Sequence, residues 1–223
     1  MQKFDTPAAI STVLEIAAGR VQFIATDRTD TTVEVLPANP AKGRDQKAAE
    51  QTTVEFADGV LRIHTNGPKN QYFGPSGSLE VTVQLPAGSH IQAKTASCEL
   101  RGVGRLGDVA FDGAYRQIKI DEAASVLLTA IDGDVEVGRL NGPAQISTAR
   151  GDIRITEAGR GKVELRTQMG DVTLGATPGV SASLDAGTGH GRIHNALKNT
   201  EGAAAGLTIH ATTGHGDITA RSL

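Results

Sequence analysis

Thr148-Ala149-Arg150-Gly151-Asp152-Ile153-Arg154-Ile155 and Thr167-Gln168-Met169-Gly170-Asp171-Val172-Thr173-Leu174 share one template, offset by 19 residues. The slot held by Gly151 and Gly170 recurs at Cys98, Arg116, Gly133, Gly191 and Gly216, and two residues later comes Leu100, Ile118, Val135, Ile193 or Ile218. Stepping back by twos from Gly151 gives Thr148, Ile146 and Ala144; from Gly170 it gives Thr167, Leu165 and Val163. Alternation of period two marks a strand with one buried face. Each unit therefore reads as strand, tight corner, strand. A unit this small cannot cover its own apolar face, so stacking on neighbouring units stabilises it.

The corners are spaced by 18, 17, 18, 19, 21 and 25 residues. The variation falls in the return links, which are longest at 175–183 and 196–208. A hairpin meander needs short turns at both ends of every strand pair, whereas a constant corner with an elastic return link describes a coil. The pattern predicts an all-β chain forming a single parallel β-solenoid, with rungs about 4.8 Å apart and equivalent residues stacked. Parallel crossovers favour the right hand. About seven regular coils fill residues 88–223. Residues 1–87 read as irregular β coils or a cap on the same continuous domain.

In that first part, Ile10 to Ile16, Arg20 to Ala25 and Thr31 to Leu36 alternate, and Asp58-Gly59 is a hairpin signal between Thr52–Phe56 and Val60–His64. Lys42 to Gln51 is polar and suits one short helix or a loop.

Composition limits the function. The chain has 223 residues, 39% hydrophobic, only 3% aromatic and no Trp, which suits a narrow aliphatic interior. A net charge of -3 without a basic run excludes the electrostatics of nucleic-acid binding. No stretch of roughly 20 apolar residues is present to span a membrane, and the amino terminus shows no leader pattern. The single Cys98 forms no internal disulfide, so the cytoplasm is the expected compartment.

The runs Thr148–Ile153 and Thr167–Val172, following the strand Gly77-Ser-Leu79-Glu-Val81-Thr-Val83-Gln-Leu85-Pro86-Ala-Gly88, resemble a bacterial β-strand-repeat family labelled "putative adhesin", a domain of unknown function. The resemblance implies a β-solenoid with no assigned catalytic residues.

Candidate chemistry sits at the corners. His190 and His215 share a template position, so their imidazoles stack and form the weak candidate for a metal site. Asp132, Arg150 and Met169 fill the same position elsewhere, which favours a plain surface column. Asp134, Asp152, Asp171 and Asp217 make an acidic column interrupted by Arg192. It would hold Ca²⁺ or, more simply, cap turns as Asx motifs. Thr148, Thr167, Thr188 and Thr213 point inward where the coil is narrowest.

No catalytic residues, cofactor or phosphate-cradling loop are legible. Tyr72 and Phe73, within the Gly- and Pro-rich run Asn66 to Gly77, are the partner-binding candidates. The expectation is a non-enzymatic scaffold or protein-binding, adhesin-like module that self-associates through its C-terminal end, where nothing after Ala220 remains to cover the final coil. The alternative is a carbohydrate-acting or metal-dependent enzyme using an outer groove. Carbohydrate has no support from the residues.

Overall fold

Strands dominate because the template alternates; two compact units, residues 1–116 and 117–223, carry them. The computed structural model describes residues 1–66, 77–113 and 117–223, so Tyr72, Phe73 and Arg116 lie outside the described residues.

In the first unit the elements are β1 (Gln2–Asp5), β2 (Ser11–Thr26), β3 (Asp30–Pro37), α1 (Gly43–Glu50), β4 (Thr52–Ala57), β5 (Val60–Thr65), β6 (Ser78–Pro86) and β7 (His90–Asp112). β2 is a complete coil of the template. Gly19 is its corner, in register with Cys98 of β7, and Leu14, Val21 and Phe23 match the apolar slots and are buried. The repeat therefore begins earlier than its C-terminal part suggests. β2 lies between β7 on one side and β5 and β6 on the other, all parallel to it.

Antiparallel strands close the outer side of this unit. β4 pairs with β5 through the expected Asp58-Gly59 turn, where both residues have positive φ, while β3 pairs with β6 and β1 with β3. The polar segment after Lys42 is helical, and Asp45 of α1, 3% exposed, accepts the Ser78 N–H at 3.0 Å at the start of β6.

The second unit contains β8 (Ile118–Thr129), β9 (Val135–Leu140), β10 (Ala144–Arg150), β11 (Ile153–Ala158), β12 (Gly161–Met169), β13 (Val172–Ala176), β14 (Ala182–His190), β15 (Ile193–Ala196), a 3-10 turn at Gly202–Ala204, β16 (Leu207–His215) and β17 (Ile218–Ser222). Among the described residues its ladders are parallel, and template equivalents are neighbours: Val135 against Ile153, and Ile153 against Val172.

The last two coils are stacked out of chain order. β12 pairs with β16, and β16 with β14; β13 pairs with β17, and β17 with β15. The C-terminal coil, β16 and β17, is thus intercalated, and the coil made of β14 and β15 is outermost. This corrects the expectation that the C-terminal end is the open one. Ile218 and Ala220 are 1% exposed, whereas Ile193, the same slot as Ile218, is 46% exposed.

The link lengths now have a cause. From β13 the chain must pass a rung filled by β17 to reach β14, a climb of two spacings, about 9.6 Å. It then steps back one rung between Ala196 and Leu207. Those are the two long links of the sequence.

Candidate functional site

The corners of the second unit are tied to one another by an Asp contact at each of four steps and by a Thr contact at three of them, Thr148 bonding instead the Arg150 carbonyl of its own coil at 3.1 Å. An Asp carboxylate accepts the backbone N–H one residue after the neighbouring corner Gly: Asp134 from Asp152 at 2.9 Å, Asp152 from Asp171 at 2.8 Å, Asp171 from Asp217 at 2.7 Å, and Asp217 from Arg192 at 2.8 Å. A Thr hydroxyl donates in the opposite direction to the corner carbonyl: Thr167 to Gly151 at 3.1 Å, Thr213 to Gly170 at 2.9 Å, and Thr188 to Gly216 at 3.0 Å. The Asp side chains therefore cap neighbouring coils, not their own turns as the sequence suggested. The carboxylate lies along the stacking direction, where the next N–H would otherwise have no acceptor.

The corner glycines are required by approach as well as by φ. A Cβ on Gly170 would stand 2.1 Å from the Gly151 carbonyl oxygen, and one on Gly216 would stand 2.0 Å from that of Gly170; their φ values are +150° and +149°. Each corner carbonyl points into the space that a neighbouring side chain would fill.

Arg192 ends the acidic column. Its guanidinium bonds Asp217 at 3.0 Å, and both its backbone N–H and that guanidinium hold the Asp217 carboxyl below the usual range. Among the described residues no coil lies beyond to be capped, so an acceptor there has no task. Asn195 tells the same story: it occupies the slot of Val137, Ile155, Leu174 and Ala220, and is exposed where they are buried. A polar residue in a core slot is tolerated only at an edge. The sequence held both marks of an outermost coil.

His190 and His215 do stack, with ring centroids 4.6 Å apart and planes within 4°. Parallel rings aim their nitrogen lone pairs side by side, and a chelate needs them to converge on one ion. Their surroundings add no ligand: Asp217 is bonded to Arg192, and His210 pairs with Asp185 at 3.2 Å. Among the described residues no three His, Cys, Asp or Glu side chains cluster for a metal.

A groove of about 300 Å³ opens on the outer face near Leu127, Pro143, Gln145 and Glu164. Its one carboxylate, Glu164, is paired with Lys162, which holds its pKa below the usual range. The lining has no aromatic ring. That is neither the pair of carboxylates nor the stacking surface that sugar chemistry uses. Other outward charges face partners on adjacent coils: Lys119 with Glu136 at 2.9 Å, Arg139 with Glu157 at 3.1 Å, and Arg150 with Asp132 at 2.8 Å.

What remains is the outer edge of β14 and β15. Backbone groups alternate sides along a strand. Ser181 turns its carbonyl to the Leu207 N–H of β16, so Leu184, Ala186 and Thr188 turn their N–H and C=O away from it. Arg192 turns its carbonyl to Ile218, so Ile193 and Asn195 do likewise. Among the described residues no strand pairs on that side. Beside these groups Leu184 and Ala186 are half-buried, and with Ile193 they leave the apolar interior open at this edge.

The fold and its corner columns define a class, the all-β proteins whose parallel strands stack as solenoid-like coils. Within that class the chain belongs to the Toastrack DUF4097 family, which matches residues 12–222. Among solved structures, one described as a "putative adhesin" from Bacteroides fragilis is 16% identical with a TM-score of 0.57, covering 98% of this chain and 95% of that one. A second with that description, from Parabacteroides distasonis, is 14% identical with a TM-score of 0.45, covering 98% and 95%. A "putative cell adhesion protein" from Clostridium sporogenes is 14% identical with a TM-score of 0.40, covering 100% and 98%. At these identities the likeness speaks to the fold alone. No curated protein matches the chain. No helix among the described residues is long and apolar enough to cross a membrane.

Proposed function

We propose that the protein is a non-enzymatic β-solenoid scaffold whose contact element for a protein partner is the open edge of β14 and β15. The observation that carries this reading is the contrast between that edge and the rest of the second unit. Its corner carboxylates and many of its outward charges are committed to contacts within the chain, while three consecutive outward positions of β14 offer donors and acceptors with no strand beside them among the described residues. Strand addition to such an edge supplies affinity from backbone hydrogen bonds, with side chains adding selectivity. Coiling is assigned as right-handed from the preference of parallel crossovers, with about seven regular template coils. The compartment assigned is the cytoplasm, which a chain with one cysteine and so no internal disulfide supports.

Ala186→Pro tests the reading. Proline lacks the N–H that an added strand would use, yet on an outer edge it breaks no ladder bond inside the protein. In cross-linking and affinity capture, this variant should lose the protein contacts that the natural chain makes, while its circular dichroism and melting temperature stay close to the parent. Identical contact sets for both chains would contradict the assignment.

A further inference from the structure

The geometry points to a second copy of this chain as the occupant of that edge, joined by antiparallel pairing of β14 with its own copy about a two-fold axis at Ala186. This rests on the reading of the edge as a contact element. In an antiparallel pair, residues whose backbone groups face each other exchange two hydrogen bonds. The outward residues of β14 are Leu184, Ala186 and Thr188. A two-fold at Ala186 sets Leu184 against the copy's Thr188, Ala186 against its own image, and Thr188 against the copy's Leu184. All three positions are satisfied at once, and such a match is what an isologous interface demands.

Other features agree with that occupant. Edges that avoid pairing carry prolines, lysines or inward charges; β14 has no Pro, Lys or Arg, and its one charged side chain, Asp185, is engaged by His210. A Cβ on Gly187 would meet nothing within 4 Å, so this stretch presents bare backbone. The same axis carries the corner of one copy toward the link end of the other, where the Lys198 carbonyl takes the outward N–H of Ala182 at 3.0 Å, so the pairing ends at Leu184 and Thr188. Arg192, whose side chain is 90% exposed, stands at that corner. Glu201 stands at that link end, its N–H held by Ser181 Oγ at 3.1 Å. Arg192 of one copy and Glu201 of the other thus stand at facing ends of the pairing, twice per dimer, with Lys198 beside Glu201 at the link end. Leu184 and Ala186, half-buried at the free edge, come against Thr188 and Ala186 of the copy, which reduces their exposure.

Sedimentation velocity over a concentration series tests this with the full chain. The natural protein should show a monomer–dimer equilibrium. Ala186→Pro should weaken the dimer at least tenfold without moving the melting point of the monomer. Glu201→Lys should weaken it several-fold and make the loss smaller as salt rises. A natural chain that stays monomeric at high concentration overturns the inference, as does a dimer indifferent to Ala186→Pro. If the chain is monomeric but Ala186→Pro still removes captured proteins, the edge binds a different partner and only the second copy is lost. If neither effect is seen, both readings fall.

Discussion

Gly170 and Gly187 lie seventeen positions apart in the same repeat pattern, one at a corner and one within a strand, and they do different work. At Gly170 an added Cβ runs into the Gly151 carbonyl at 2.1 Å, while at Gly187 it meets open space. Gly170→Ala should therefore cost more than about 2 kcal/mol through strain and displaced backbone. Gly187→Ala should be neutral or stabilise by up to about 1 kcal/mol through a less flexible unfolded chain. Urea denaturation of the two variants reads the difference directly. A second residue-scale expectation concerns acid. Hydrogen bonds from Arg28 and Lys3 hold the Asp30 carboxyl down to about 2. Because the folded value is depressed, the stability it contributes is complete above the ordinary Asp value of ~3.9 and is lost as pH falls through the folded one. Carboxyl titration by NMR should find Asp30 titrating near 2, and Arg28→Gln should return it toward the ordinary value.

Among elements, the informative comparison is between β17 and β15, because Ile218 and Ile193 share a template slot. Ile218 is 1% exposed between β13 and β15, and Ile193 is 46% exposed at the edge. Ile218→Ala should cost about 2–5 kcal/mol, and Ile193→Ala below about 1 kcal/mol in dilute solution where copies stay apart. Equal costs in chemical denaturation would show that the two coils are not ordered as described. Much of this architecture was legible, since the period-two pattern around Gly133, Gly151 and Gly170 fixes strands, corners and stacking. The coil order was not read, because template identity says which residues are equivalent and not which equivalents touch. The signal existed in Arg192 and Asn195, an acceptor slot and a core slot filled by residues unsuited to an interior coil. Gly19 does not stand out as a corner in the sequence because 79 residues, not about twenty, separate it from Cys98, the next residue of the aligned slot.

For the whole molecule, the two units treat their outer strands differently. The first covers its outermost coil with the antiparallel strands β1, β3 and β4 and with α1, which packs on β3 and β6. The second leaves β14 and β15 uncovered on their outer side among the described residues. That difference is why the proposed contact edge belongs to the second unit; the sequence pattern alone pointed to the C-terminal residues, although Arg192 and Asn195 marked the outermost coil. Those residues are instead held inside the stack, in the order β12, β16, β14. Arg166 of β12, Thr212 of β16 and Gly187 of β14 lie in register on the exposed face of these three strands. Neighbouring rungs put Cα atoms about 4.8 Å apart, and rungs once removed about 9.6 Å. With Cys98 replaced by Ala, paired cysteines at 166 and 212 should form an intramolecular link under mild oxidation, and cysteines at 166 and 187 should not. Ready linkage of 166 to 187, with none between 166 and 212, would show the coils stacked in chain order and contradict the account.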